Sequence, residues 1–289
     1  MDWANDNGIF LPMINDVARN EFYLAAISKS VAGKTVVDVG TGTGLLSIIA
    51  ARSGATKVWS IEQDRARSLF ARDLIDKVGL SSKIEVINED FLNTSIKADY
   101  CVTETIGNPF NENILEIASH ARKQMSGTMI PGKFELWVEA FDYHPIFDLC
   151  LEVHNQDRFT WSTPLIDDFN QLINQHIGTI PESYKSNHLL NLFAILDTTK
   201  IDLSCCYKSE KLIIDLNDVE VNNIEFLVRK DWLPKTKTMV VVFWKVVSND
   251  DSMDVKQTIW SVPCKSYSNL AHDLLIMYNK ISKDWWFFS

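Results

Sequence analysis

The sequence predicts an α/β first half followed by an antiparallel, barrel-like second half, and three observations carry that prediction. From residue 31 to about 141, short β-branched runs alternate with stretches whose apolar residues recur three and four apart. After Pro131-Gly132 the apolar period changes to two. A glycine-rich segment, Val37-Asp-Val-Gly-Thr-Gly-Thr-Gly44, stands where a strand hands over to a helix.

In the first half, Thr35–Val39, Lys57–Ile61, Ile84–Ile87 and Tyr100–Thr103 read as strands. Leu45 to Arg52, Arg65 to Val78 and Asn113 to Met125 read as the helices between them. Strand and helix in alternation imply a mostly parallel sheet covered on both faces. In the second half, 134–141, 148–153, 201–204, 224–228, 239–247 and 258–261 alternate in the manner of antiparallel strands, enough for a sandwich or barrel. A polar stretch near 164–193, with helical spacing at Phe169, Leu172 and Ile173, is an excursion from that sheet. The expected division is 1–132 and 133–289, with the hinge near 130–134.

Composition narrows the function. The chain has 289 residues, 46% of them hydrophobic, nine tryptophans and a formal charge of −10. That is enough apolar surface for one large domain or two medium ones. The charge is uneven, with 14 basic and 16 acidic side chains up to residue 133 but 14 and 22 after it. An acidic surface repels phosphate backbones and attracts cations, so nucleic acid is an unfavourable partner and a basic substrate a favourable one. Nowhere do about 18 apolar residues run together, and no basic-then-apolar leader opens the chain, so the expectation is a cytoplasmic protein with no membrane partner. Five cysteines, at 101, 150, 205, 206 and 264, are odd in number and lack metal-ligand spacing, as do the six histidines. They read as reduced thiols, and no metal is expected.

The glycine-rich segment carries the first chemistry. Gly40, Gly42 and Gly44 let the backbone turn sharply and approach a ligand, with Thr41 between them. The glycines alternate and follow an acid, Asp38, unlike the Gly-x-Gly-x-x-Gly of dinucleotide sites. Asp38 can accept from an ammonium or order the loop, whereas it would repel a pyrophosphate. Two more acids end the next strands. Glu62, about 20 residues on, suits a ribose diol, and Asp90 suits an adenine amino group, with Phe91 against the ring. The set fits a nucleoside bearing a charged amino acid, S-adenosyl-L-methionine.

With these motifs, residues 9–141 resemble the protein arginine methyltransferase family, whose fold is a Rossmann-like class I methyltransferase domain followed by a β-barrel. The resemblance extends to Met13-Ile-Asn-Asp-Val-Ala-Arg19-Asn-Glu-Phe-Tyr23, similar to the family's helix whose arginine pairs with the cofactor carboxylate. It implies that role for Arg19. Tyr100-Cys-Val-Thr-Glu-Thr-Ile-Gly-Asn-Pro-Phe-Asn-Glu112 corresponds to the family's two-glutamate loop, so Glu104 and Glu112 are implied as the clamp on a substrate guanidinium. The residues themselves say something less specific. A Glu at a parallel-strand end faces the ligand crevice, and a Glu at a helix start can simply cap it. The family also implies a homodimer.

The chain departs from the family in two places. Its glutamates are eight apart where the family has nine, a one-residue shortening worth about 3 Å of chain. Of the family's Thr-His-Trp loop only a histidine can be aligned, His272, which also reads as an ordinary surface residue. Two other activities therefore stand beside guanidine methylation: methyl transfer to an amine or hydroxyl of a metabolite, and a non-catalytic module that only binds partners.

Overall fold

The computed structural model describes residues 14–107, 110, 112–142, 163–177, 209–218, 224–232, 238–254, 264–267 and 272–288. The strands expected at 148–153, 201–204 and 258–261 lie outside them, as do Met13 and the part of the polar excursion beyond 177.

Five strands, β1 (Thr35–Val39), β2 (Lys57–Ile61), β3 (Ile84–Ile87), β4 (Tyr100–Thr103) and β5 (Met129–Ile130), form one sheet in the order β3-β2-β1-β4-β5. Every pairing in it is parallel. Val36, Val37, Val58 and Val102 are fully buried, as strands covered on both faces require. The order reverses between β1 and β4, and in an open parallel sheet that reversal opens a crevice at the strands' carboxyl ends.

Four helices accompany this sheet, one ahead of β1 and three after its strands. Helix α1 (Val17–Ser30) is capped by Asp16, whose side chain accepts from the Arg19 amide at 3.1 Å. It buries Phe22, Tyr23, Ala26 and Ile27, each large apolar side chain contributing about 1.5–3 kcal/mol. Helix α2 (Leu45–Arg52) is apolar nearly all round, and Leu45 to Ala51 are all buried. Helix α3 (Arg65–Lys77) is capped by Asp64 and amphipathic, burying Phe70, Ala71, Leu74 and Ile75. Helix α4 (Ile114–Ala121) is shorter than the 113–125 expected, because Lys123, Gln124 and Met125 close it with turn hydrogen bonds.

At Gly132 the chain changes sheet. The Gly132 amide donates to Val247 O and its carbonyl accepts from the Leu216 amide. Strand β6 (Lys133–Asp142) then pairs antiparallel with β7 (Ser209–Asp215) and along its whole length with β9 (Thr238–Ser248). Strands β10 (Asp251–Asp254) and β11 (Cys264–Tyr267) also pair with β9. A second antiparallel sheet has the order β13 (Asp284–Phe288), β12 (Leu274–Asn279), β8 (Glu225–Val228). Phe134, Leu136 and Trp244 are buried on one face of the β6–β9 pair, and Phe243 is buried on the other. Helix α5 (Asp167–Ile177) lies in the expected excursion, and Arg52 of α2 holds it through both Asp168 oxygens at 2.6 Å each and Leu165 O at 2.6 Å.

Candidate functional site

At the crevice between β1 and β4 lies a cavity of about 400 Å³. Of the residues singled out in the sequence, Arg19, Gly40, Thr41, Gly42, Glu62, Asp90, Phe91, Glu104 and Glu112 line it. They come from segments far apart in the chain, and the parallel sheet gathers them at one edge.

The glycine-rich turn is built from underneath. Asp38 does not line the cavity. It is buried, and its Oδ2 accepts from the hydroxyls of Thr41 at 2.6 Å and Ser47 at 2.7 Å. Ser60 in turn donates to Thr41 at 2.8 Å. Through Oδ2 this acid orders the loop, while its Oδ1 is buried with no hydrogen-bond partner. Burial raises the Asp38 carboxyl, opposed by the two hydroxyl donors.

Gly40 has φ +72°, and a Cβ there would stand 2.7 Å from Thr105 Cγ2. Gly40→Ala should lower stability by about 2 kcal/mol, the cost of a left-handed L-residue plus the collision, read as a fall in the thermal midpoint. Gly44, with φ +84°, starts α2 from outside the cavity lining.

Glu62 faces the cavity from the end of β2. Its oxygens accept from the Gly42 amide at 3.0 Å and the Asp64 amide at 3.0 Å, and Arg67 Nε lies 3.3 Å away. Each carboxylate oxygen has a second lone pair for a ligand hydroxyl. Asp90 caps the short turn Phe91–Asn93 by accepting from the Leu92 amide at 2.9 Å. Phe91 is buried edge-on against His120 at 5.0 Å.

The carboxyl end of β4 is locked in place. The Thr103 hydroxyl donates to Val39 O at 3.0 Å, and the Tyr23 hydroxyl donates to Thr103 O at 2.8 Å. The next residue, Glu104, is thereby held in the crevice with only 3% of its side chain exposed. Its Oε2 accepts from Arg19 Nη2 at 2.9 Å, while its Oε1 is buried with no hydrogen-bond partner. Burial pushes the Glu104 carboxyl up to about 7; Arg19 opposes that shift and Glu112 adds to it. For Arg19, burial works against the charge, but Glu104 outweighs it and the guanidinium is held above its ordinary value. Arg19, reached from α1, thus already stands on the carboxylate expected to hold a substrate.

Glu112 opens to the cavity and to solvent, yet the protein packed around it raises its carboxyl, with Arg67 and then Arg19 opposing. Glu104 and Glu112 therefore share one electrostatic field despite the shortened spacing.

His272 is not brought to this cavity. The structure places His272 exposed ahead of β12 and outside the cavity lining. Its four predecessors, 268–271, lie outside the described residues. Sequence reading also passed over Ile14, Arg67 and Ile117, which line the cavity. Arg67 carried a usable signal, since it stands in the first turn of a helix that begins three residues after Glu62.

A family model described as ribosomal protein L11 methyltransferase (PrmA) matches residues 22–132. The histone-arginine methyltransferases CARMER of Drosophila ananassae and Drosophila virilis are each 30% identical over 219 residues, 72% of this chain. The chain spans 38% of their length. Among solved structures, PRMT6 with SAH superposes with TM-score 0.64 at 16% identity, covering 98% of this chain and 99% of that one. The Trypanosoma brucei PRMT1 enzyme-prozyme heterotetrameric complex with AdoHcy gives 0.62 at 17% identity, covering 99% and 98%. Arabidopsis thaliana protein arginine methyltransferase 10 gives 0.61 at 15% identity, covering 96% and 95%. The chain thus shares sequence with histone-arginine methyltransferases along 72% of its length, and its two-part fold is that of solved protein arginine methyltransferases.

Proposed function

We propose that the protein is an S-adenosylmethionine-dependent N-methyltransferase acting on a guanidino nitrogen, in a protein, a peptide or a small molecule. One observation carries the reading. Glu104 already holds one guanidinium, that of Arg19, on Oε2, and keeps Oε1 buried and unpartnered at the same cavity. A buried carboxylate oxygen without a donor costs free energy until a ligand supplies one, and a planar guanidinium supplies two in a fork.

The residues fit the cofactor. Glu62 would accept the ribose hydroxyls, Asp90 and Phe91 would face the adenine, and Arg19 would meet the amino acid carboxylate. The Gly40–Gly42 turn lets the backbone come close. The cofactor supplies an electrophilic methyl group on a sulfonium. Glu104 and Glu112 orient the acceptor nitrogen, and positioning of that kind can be worth several kcal/mol. A carboxylate there also receives the proton released as the nitrogen is methylated.

The acidic chain favours a cationic acceptor and disfavours nucleic acid. The heterotetramer named for one relative supports self-association, which we extend to this chain as a homodimer, to be checked by light scattering. No helix among the described residues is long and apolar enough to cross a membrane, and a cytoplasmic site of action belongs to the same reading. Calorimetric titration with S-adenosylhomocysteine, then mass spectrometry of arginine-rich peptides incubated with cofactor, tests the proposal. Micromolar binding and a gain of one methylene in mass are expected. Binding with no mass gain on any guanidine would sink the acceptor assignment, and no binding would sink the activity.

A further inference from the structure

The shortened glutamate loop raises a geometric problem that local sequence does not solve, because a missing residue should draw Glu112 away from Glu104. The backbone on either side of Glu112 shows what compensates. Phe110 has φ +73° and Asn113 has φ +68°, a region that a bulky side chain such as phenylalanine enters only under constraint. Such outliers persist where surrounding structure over-determines them. Here the surrounding structure is the β12–β13 hairpin.

Two contacts bracket Glu112. On one side, the Tyr278 hydroxyl of β12 donates to Phe110 O at 2.8 Å, in a buried position. The Phe110 ring is fully buried against Tyr278 at 5.5 Å, Trp285 at 6.4 Å and Phe134 at 5.1 Å. On the other side, Lys283, in the turn of the hairpin, donates from Nζ to Asn113 Oδ1 and lies 4.0 Å from Glu116. Neither Tyr278 nor Lys283 lines the cavity. Both act on the chain that presents Glu112 to it.

We infer that Tyr278 and Lys283 are positioning residues that set Glu112 opposite Glu104, so that the second half of the chain completes the acceptor clamp of the first. The inference rests on the guanidine reading above and deepens it: acceptor geometry is tuned from the hairpin, while the cofactor end of the cavity, built on β1 to β3, is independent of it. Acceptors whose nitrogen needs both carboxylates should be sensitive to the hairpin. Cofactor affinity should not be.

The test uses the full chain and two variants, Tyr278→Phe, which removes one hydroxyl, and Lys283→Ala, which alters a turn and leaves the core intact. Three quantities are read: hydrogen exchange at the Phe110 amide, which donates to Ile106 O at 2.8 Å; affinity for S-adenosylhomocysteine; and kcat and KM on an arginine-containing peptide. Both variants should speed Phe110 exchange, by about tenfold or more for Tyr278→Phe. They should raise KM or lower kcat by roughly five- to one-hundred-fold, as a misplacement near 1 Å does. Cofactor affinity should stay within about twofold, since a variant that merely destabilised the fold would weaken it as well. Unchanged exchange in both variants, or a loosened loop with wild-type kcat and KM, overturns the inference. Wild-type protein that methylates no guanidine overturns the acceptor reading instead, so the two failures are told apart before any variant is made.

Discussion

Glu104→Gln lowers methyl transfer to a guanidine by about 10²- to 10³-fold, the usual effect of deleting one charged group that a buried site aims at the reacting centre. Glutamine keeps the shape and one acceptor oxygen but not the charge, and charge-assisted hydrogen bonds are about twice as strong as neutral ones. Stability should move the other way. With its carboxyl raised to about 7 by burial, Glu104 ionises at a cost in the folded state even with Arg19 at 2.9 Å. Glutamine mimics the protonated acid, so the variant should gain stability relative to wild type as pH rises from about 4 to about 8. Denaturant midpoints at the two pH values check this. A hydroxyl or amine acceptor, which does not need the fork, would tolerate the same substitution. Activity on a guanidine that survives Glu104→Gln would therefore refute the clamp.

The second large effect is on pH. Glu104 has a folded pKa above its unfolded value, near 7 against 4.5. Between those values the folded chain holds a proton that the unfolded chain does not, so this group's contribution to stability is full below pH 4.5 and falls as pH rises to 7. Activity carries the opposite sign, since only the carboxylate can hold a guanidinium. kcat/KM for a guanidino acceptor should rise about tenfold per pH unit from 5 to near 7 and then level off. Glu112, also raised, steepens the lower part of the profile. Binding the acceptor should release protons below pH 7, detectable as a buffer-dependent enthalpy in calorimetry. A flat profile from 5 to 8 would mean that Glu104 is ionised throughout and that its burial does not shape the reaction.

The strands of the first half were legible because burial on both faces leaves β-branched runs. β1, β2, β3 and β4 have the boundaries the sequence implies. The second half was read less well. β6, β8 and β9 show an alternation that half-buried strands impose, and they lie within a residue or two of expectation. β7, in contrast, is Ser209-Glu-Lys-Leu-Ile-Ile-Asp215, which leaves Ile213 half exposed and breaks the period. The β13 aromatics, Asp284-Trp-Trp-Phe-Phe288, do not alternate in type, so only the pairing with β12 makes a strand of them.

Taken alone, the sequence determined the parallel sheet, the glycine turn and the acids at successive strand ends, because each depends on residues close in the chain: φ freedom at Gly40, a cap, a strand's apolar run. Distance along the chain hid the rest. Asp38 proved to face inward because Thr41, Ser47 and Ser60 supply donors that only the folded loop brings together. Arg19 came to rest on Glu104, 85 residues away, because α1 packs across the crevice. His272 was left at the surface. Phe110 and Asn113, on either side of Glu112, are held by Tyr278 and Lys283 from the far end of the chain, contacts that only the tertiary structure assembles.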